Sequence, residues 1–301
     1  MSIKATLRAR QRRRRILWIS VTAVVVALLV VVYFVAAVGS PYTKYIGQPV
    51  SSTILQQITG VSGSTLNVVG TPSGVSAPAK VSGSLLTSGG KPEVLYIGGE
   101  FCPYCAIERW AMIVALSHFG TFTGLEYMLS SSTDVNANTP TFTFAHANFT
   151  SNYISFVAVE EYGRAGTTDV RQTLTTAQTS LVSQYDTCPA SGGTGGIPFI
   201  DIANQYAVNC GAQFQLPAIA GGNWTQVASV LNDPSNSYAQ LIDGAANYLI
   251  SAICNVDGGQ PGSVCGQGYA TATLSPAQSG SVASPALLAI PVRGSDLRWT
   301  V

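Results

Sequence analysis

The chain has 301 residues, of which 47% are hydrophobic and only 10% charged, against roughly 25% charged in typical soluble domains. That balance excludes a disordered, highly charged chain, and neither the glycine period of collagen nor the charged bias of a long coiled coil is present. The net charge of +1 conceals a split: seven of the basic residues (Lys4, Arg8, Arg10, Arg12, Arg13, Arg14 and Arg15) precede residue 16, and the remainder carries eight basic and fourteen acidic residues, which leaves no basic surface for a nucleic-acid partner.

The first predicted element follows that arginine run. Residues 16–38 are 23 in number and uncharged. At about 1.5 Å per residue they make a helix of roughly 34 Å, enough to cross a hydrocarbon core of about 30 Å. Trp18 and Tyr33 stand near its ends as interfacial aromatics do. Basic residues before the span and only Lys44 soon after it predict a cytosolic N-terminus and an extracytoplasmic remainder, anchored to membrane lipid in a single pass. A cleaved signal peptide is the rival reading, but the stretch exceeds an h-region of roughly 7–15 residues. Either way the domain is exported.

Residues 39–91, rich in Ser, Gly, Thr, Val and Pro, read as a stalk and peripheral segment with a short helix at 52–59. Residues 92–255 read as the main domain and 256–301 as a C-terminal tail, a surface wrap from 268 onward. Within the domain, 92–98 is a strand ending in glycines, and 103–119 a helix with Pro103 in its first turn and Gly120 at its stop. Strands follow at 125–129, and at 141–145 and 154–159 as a hairpin or a pair. Residues 169–185 are helical, 191–196 a glycine-rich link, 199–203 and 206–209 paired strands, and 224–231 and 238–254 helices. Strands alternating with helices predict an α/β domain with a mixed sheet flanked by helices.

The chemistry is carried by Cys102-Pro103-Tyr104-Cys105, at the junction of strand and helix. The spacing puts both sulfurs on the first helical turn, close enough to close a small ring. Cys102 lies over the unpaired N–H groups and positive end of the helix, which favours its thiolate, the attacking species. Cys105, one turn in, is the resolving thiol. A zinc site would need a second ligand pair, and His118 and His146 do not form one; no metal or other cofactor is expected. A purely structural bond between Cys102 and Cys105 is the rival reading, but so short a loop constrains the unfolded chain little. Glu100 is the nearest carboxylate, a proton shuttle or, on the blander reading, a solvated loop residue. Glu108 and Arg109 are expected at solvent or in a local pair, Trp110 in the core, His118 capping the helix end or solvated, and His146 in a loop.

With Ile197-Pro198 opening a strand 93 residues after Cys105, this pattern resembles the thioredoxin superfamily. The resemblance implies a thioredoxin-like mixed sheet, a cis Pro198 facing the disulfide, and an Ile197 backbone that binds an extended substrate segment, with Pro103 and Tyr104 completing the substrate-binding set. The run GGEFCPYCAIERWAMIVALSHFGTFTGLEYMLSSSTD is similar to an uncharacterised family of membrane-anchored, thioredoxin-like proteins, over about residues 90–255. Two departures stand out. Thioredoxins carry a buried Asp where this chain has Tyr96, and Gly98-Gly99 replace their Trp-Ala. The long interval to Pro198 implies a helical insertion around 146–190.

The four remaining cysteines suggest two structural disulfides in an oxidising compartment. Cys254–Cys265 is the most local pair and leaves Cys188–Cys210; the rival reading makes Cys188 or Cys210 a relay thiol. The sequence thus leads to the expectation of an exported thiol–disulfide oxidoreductase, its partners being exported proteins with thiols or disulfides and a redox partner of unknown identity. The alternative is a non-catalytic binding module with a fixed Cys102–Cys105 bond.

Overall fold

A computed structural model of the chain describes residues 3–38, 40–188, 193–194, 196–209, 211–215, 219 and 222–274. Helix α1 (Ile3–Val38) carries the arginine run and the apolar stretch without a break, and its segment Arg12–Val31 is long and apolar enough to cross a membrane. Two short helices, α2 (Ser52–Thr59) and α3 (Gly63–Val69), are opened by Ser51 and Ser62, whose hydroxyls accept from the N–H groups of Ile54 and Thr65. Strands β1 (Ala79–Lys80), β2 (Thr87–Ser88) and β3 (Lys91–Gly99) follow, then helix α4 (Pro103–Ser117). Next come β4 (Gly120–Thr123), β5 (Glu126–Leu129), β6 (Pro140–Thr143), β7 (Asn148–Ser151) and β8 (Ser155–Tyr162). Helix α5 (Thr176–Tyr185), the short ladder of β9 (Thr187–Cys188) with β10 (Gly193–Thr194), and the hairpin of β11 (Phe199–Ile202) with β12 (Tyr206–Val208) come after them. Helices α6 (Trp224–Ala228), α7 (Ser237–Val256) and α8 (Gly262–Cys265) end the described chain with a 3-10 turn, Gly268–Thr271.

The main sheet is mixed and runs β8-β3-β11-β12-β1, with β2 folded back on the start of β3. β8 lies parallel to β3, and β11 antiparallel to it with Phe199 opposite Ile97. Val94 to Ile97 are all buried, as a strand covered on both faces requires. Val94 and Tyr96 join Ile200 and Ile202 in the core shared with α4 and α7. Leu95 and Ile97 join Val159, Tyr185 and Phe199 on the opposite face, where Leu181 and Val182 of α5 pack. In α4 only Tyr104 and Ser117 escape full burial, so this helix has no solvent face.

Several expectations are corrected. Residues 40–91 are no free-standing stalk: Ile54 and Ile58, one turn apart on α2, and Leu66 on α3 lie in the main core. Strands β6 and β8 do not pair with each other; β6 pairs with β5, β7 with β4, and β8 with β3. Alternation marks a strand and is silent about its neighbour. Two small ladders occupy 120–151, and within the 146–190 stretch the structure places β7, β8 and helix α5. Helix α5 starts at 176 because Thr175 and Gln178 form a capping box, while Val170 bridges Tyr162 in extended conformation. Of the C-terminal tail, residues 257–274 fold back on α7: Val264, Tyr269 and Ala270 are buried, and a Cys254–Cys265 disulfide spans Cα atoms 5.4 Å apart. The rest of that tail, residues 191, 192 and 195 of the glycine-rich link, and Cys210, hence the Cys188–Cys210 pairing, lie outside the described residues.

Burial raises three carboxyls, Glu108, Asp201 and Asp243, toward neutral pH. Burial pushes Asp243 on α7 up to about 8, and among the described residues neither of its oxygens has a hydrogen-bond partner. It likewise pushes Glu108 on α4 and Asp201 on β11 up to about 7 each. A folded-state value above the unfolded one, about 4, means the folded chain holds extra protons between the two. Their contribution is complete below about pH 4 and is lost as pH rises through 7 to 8. The detergent-solubilised chain is expected to melt at a higher temperature at pH 5 than at pH 8 by calorimetry; an equal or rising midpoint contradicts this.

Candidate functional site

β3 ends at Gly99, and a two-residue turn delivers Cys102 as the N-cap of α4 with Pro103 in its first turn. Proline is favoured there because its missing N–H has no helical partner to lose. The Cys102 Sγ accepts from the Cys105 N–H at 3.3 Å and lies 3.6 Å from the Ile197 carbonyl oxygen, to which its thiol donates. Ile197-Pro198 is a cis peptide at the head of β11. Cys102, Cys105, Pro103 and Pro198 are buried, and Tyr104 and Ile197 half-buried. The sequence-identified residues of the two distant segments thus meet at one end of the sheet, where β3 and β11 lie side by side. Both cysteines are free thiols in this structure.

Their environments differ. Hydrogen bonding from the Cys105 thiol lowers the pKa of Cys102, helped by the N–H groups of Cys105 and Tyr104 and by the positive Arg109, against desolvation. Cys105 is pushed well above the ordinary thiol range, by burial first and by Cys102 second. The outer sulfur is the better anion and the inner one keeps its proton.

Glu100 is not solvated. It is 7% exposed, its Oε1 accepts from the Thr143 hydroxyl at 2.7 Å, and burial raises its pKa. Its backbone N–H is tied to the Tyr162 carbonyl at the end of β8.

Glu108 and Arg109 are not at solvent either; both are fully buried. Glu108 accepts from the Gln213 N–H at 2.9 Å. The Nε and Nη2 of Arg109 donate to the two carboxylate oxygens of Glu160 on β8 at 2.9 and 2.6 Å, and Nη2 also to the Gly99 carbonyl at 3.0 Å. Burial pulls the Arg109 pKa down, but Glu160 more than offsets it and Arg109 stays charged. Its guanidinium lies 5.6 Å from the ring centre of Tyr96. One signal for this was available: an arginine inside an apolar helix with no polar face has nowhere but the interior to go. Its partner on β8 was not readable.

The glycines before the motif make room. A Cβ at Gly98 would overlap the Tyr96 hydroxyl, and one at Gly99 would crowd the Phe101 ring and Ile197 Cδ1 at 3.1 to 3.3 Å. Of the other singled-out residues, Trp110 is core, its ring N–H donating to the Pro140 carbonyl. His118 is the C-cap of α4, and His146 is exposed with Nδ1 3.3 Å from Glu126. Among the described residues no group of three His, Cys, Asp or Glu is arranged to hold a metal.

A family described as a domain of unknown function, DUF929, matches residues 77–255, more than half of the chain and nearly everything from β1 to the end of α7. No curated protein matches the chain, and no solved structure does.

Because a buried charge left without its partner is costly, Arg109→Met is expected to destabilise the chain by about 3–5 kcal/mol, and Arg109→Met combined with Glu160→Leu by markedly less. Denaturant unfolding measures both; a double variant no better than the single one rules out the ion pair as the cause.

Proposed function

The chain belongs to the DUF929 family, and we propose that it is a membrane-anchored thiol–disulfide oxidoreductase of thioredoxin-like fold, acting outside the cytosol on thiols and disulfides of exported proteins. The observation that carries this reading is the Cys102 sulfur at the head of α4, 3.6 Å from the carbonyl that precedes cis Pro198. Helix N–H groups and a buried arginine favour its thiolate, and the thiolate is the species that attacks a disulfide. The sheet order β8-β3-β11-β12, with a cysteine-bearing helix after β3 and a proline before β11, supports the thioredoxin-like assignment. The arginine run ahead of the apolar part of α1 supports an outer-face location.

In the reductive direction the Cys102 thiolate attacks a client disulfide, one client thiolate leaves, and a Cys102–client mixed disulfide forms. The Cys105 sulfur then attacks Cys102, its proton goes to the departing client sulfur, and the Cys102–Cys105 bond closes. In the oxidative direction the same steps run backwards: a client thiolate opens the Cys102–Cys105 bond and expels the Cys105 sulfur. The half-buried Ile197 and Tyr104 flank the reacting sulfur and supply the surface for an extended client segment.

Replacing the resolving thiol tests this. Cys105→Ala, expressed in the native membrane, is expected to accumulate mixed disulfides through Cys102 with exported proteins, recovered after acid quenching and identified by mass spectrometry. A variant that traps none, with a Cys102 that titrates like a free thiol near pH 8.5, sinks the proposal.

A further inference from the structure

The path from the apolar helix into the domain has no slack. The apolar stretch of α1 runs on to Val38. Tyr42, four residues later and so at most about 14 Å away, is already built into the domain. Its hydroxyl accepts from the Asn223 side-chain amide at 3.2 Å, and its ring stands edge-on to that of Trp224 with centres 6.1 Å apart. Residues 47–50 then run as an edge along β5. The Gly47 N–H donates to the Tyr127 carbonyl at 2.9 Å, the Tyr127 N–H to the Gln48 carbonyl at 2.9 Å, and the Val50 N–H to the Leu125 carbonyl at 3.0 Å. If α1 crosses a bilayer, this face of the domain is left at the bilayer surface.

The same face carries a hollow of about 540 Å³, with Tyr42, Tyr45, Gln48, Tyr127 and Trp224 in its lining. The Tyr45 ring centre lies 6.1 Å from that of Tyr127 and 6.0 Å from that of Trp224, and those two are 4.8 Å apart. The polar tips of the two deeper rings are bound by the protein: the Trp224 ring N–H donates to the Thr141 carbonyl at 2.6 Å, and the Tyr127 hydroxyl to that of Ser51 at 3.1 Å. What they offer to the hollow is apolar ring surface. Amide side chains, Gln48 and Asn223 among them, complete the lining, and the Lys44 ammonium stands 5.1 Å from the Tyr45 ring centre. Of the 14 acidic residues in the chain none falls between residues 39 and 92. Glu126, next to Tyr127, is paired with His146 at 3.3 Å.

We infer that this face is a lipid-docking surface, seated at headgroup level on the leaflet at the C-terminal end of α1, with the aromatic hollow over the glycerol and upper acyl region of its lipids. Rings with an apolar body and a polar tip concentrate at that depth. A hollow with an apolar floor and amide groups in its lining matches the change from ester to hydrocarbon along a lipid. A lysine on a segment without acids is attracted to anionic headgroups, where acids would be repelled. The inference needs α1 to cross the bilayer and is independent of the cysteine chemistry. Seated in this way, the domain is held against the membrane in one orientation and does not swing on a stalk.

Photo-crosslinking from defined positions tests this. The photoreactive residue benzoylphenylalanine is placed at Tyr45 and, in a second variant, at Gln48, both exposed. The control position is Thr179, exposed on α5, which packs on the sheet face opposite to α4. The full-length chain is reconstituted into nanodiscs of phosphatidylglycerol and phosphatidylcholine and irradiated, and lipid adducts are measured by intact mass. The yield at 45 and at 48 is expected to exceed that at 179 by about tenfold or more, as interfacial against aqueous placement implies. Melting midpoints near that of the parent show that the variants fold, and the Gln48 variant carries the test if the Tyr45 variant does not. Yields no higher than at 179, or adducts to a second copy of the chain in place of lipid, overturn the docking surface. A parent chain that does not enter the nanodiscs removes the membrane span on which it rests.

Discussion

The buried pair of Arg109 and Glu160 is the constraint on which the site depends. It joins the cysteine-bearing helix to the strand parallel to β3, and a third bond from the same guanidinium ties the helix to Gly99, where β3 ends. The head of α4 is thereby held over the ends of β3 and β8. A buried ion pair adds little net stability over a well-packed apolar pair, but it tolerates only one arrangement of its partners. Its positive member also lies near enough to both cysteines to favour their thiolates. One side chain therefore sets the position of the motif and part of its electrostatics.

The interior around this pair is unusually polar for so apolar a chain. Glu100, Glu108, Asp201 and Asp243 are buried with Glu160, against Arg109 as the one buried base among the described residues. Acids held in the interior without cations are tolerated most easily when protonated. The low charge of the whole chain and the excess of acids beyond residue 15 are in keeping with that. Tyr96 belongs to the same inner layer, where it contributes a neutral hydroxyl rather than a further carboxylate.

Local patterns were legible where the answer lies within a few residues. Helix α2 begins at Ser52, after a capping serine, and runs to Thr59 as its apolar spacing implies. Strand β3, the start of α4 at Pro103 and the hairpin of β11 with β12 were likewise readable. The errors came where a segment had to choose a distant neighbour. The small and polar composition of 40–91 hides four apolar residues, Ile54, Ile58, Val61 and Leu66, that are buried in the main core. The strand expected at 154–159, in a hairpin or pair with 141–145, lies instead beside β3.

By itself, then, the sequence determined an apolar span behind an arginine run, a pair of thiols at the mouth of a helix, and a proline at the start of a later strand. Each is written in consecutive residues, through periodicity, capping or spacing. Only the tertiary structure decided that the Ile197 carbonyl stands beside Cys102, that Arg109 turns inward to Glu160, and that the Tyr96 hydroxyl fills the space Gly98 leaves open. These depend on which surfaces exclude water from one another once the sheet closes. Burial is a property of the assembled core rather than of any stretch of chain.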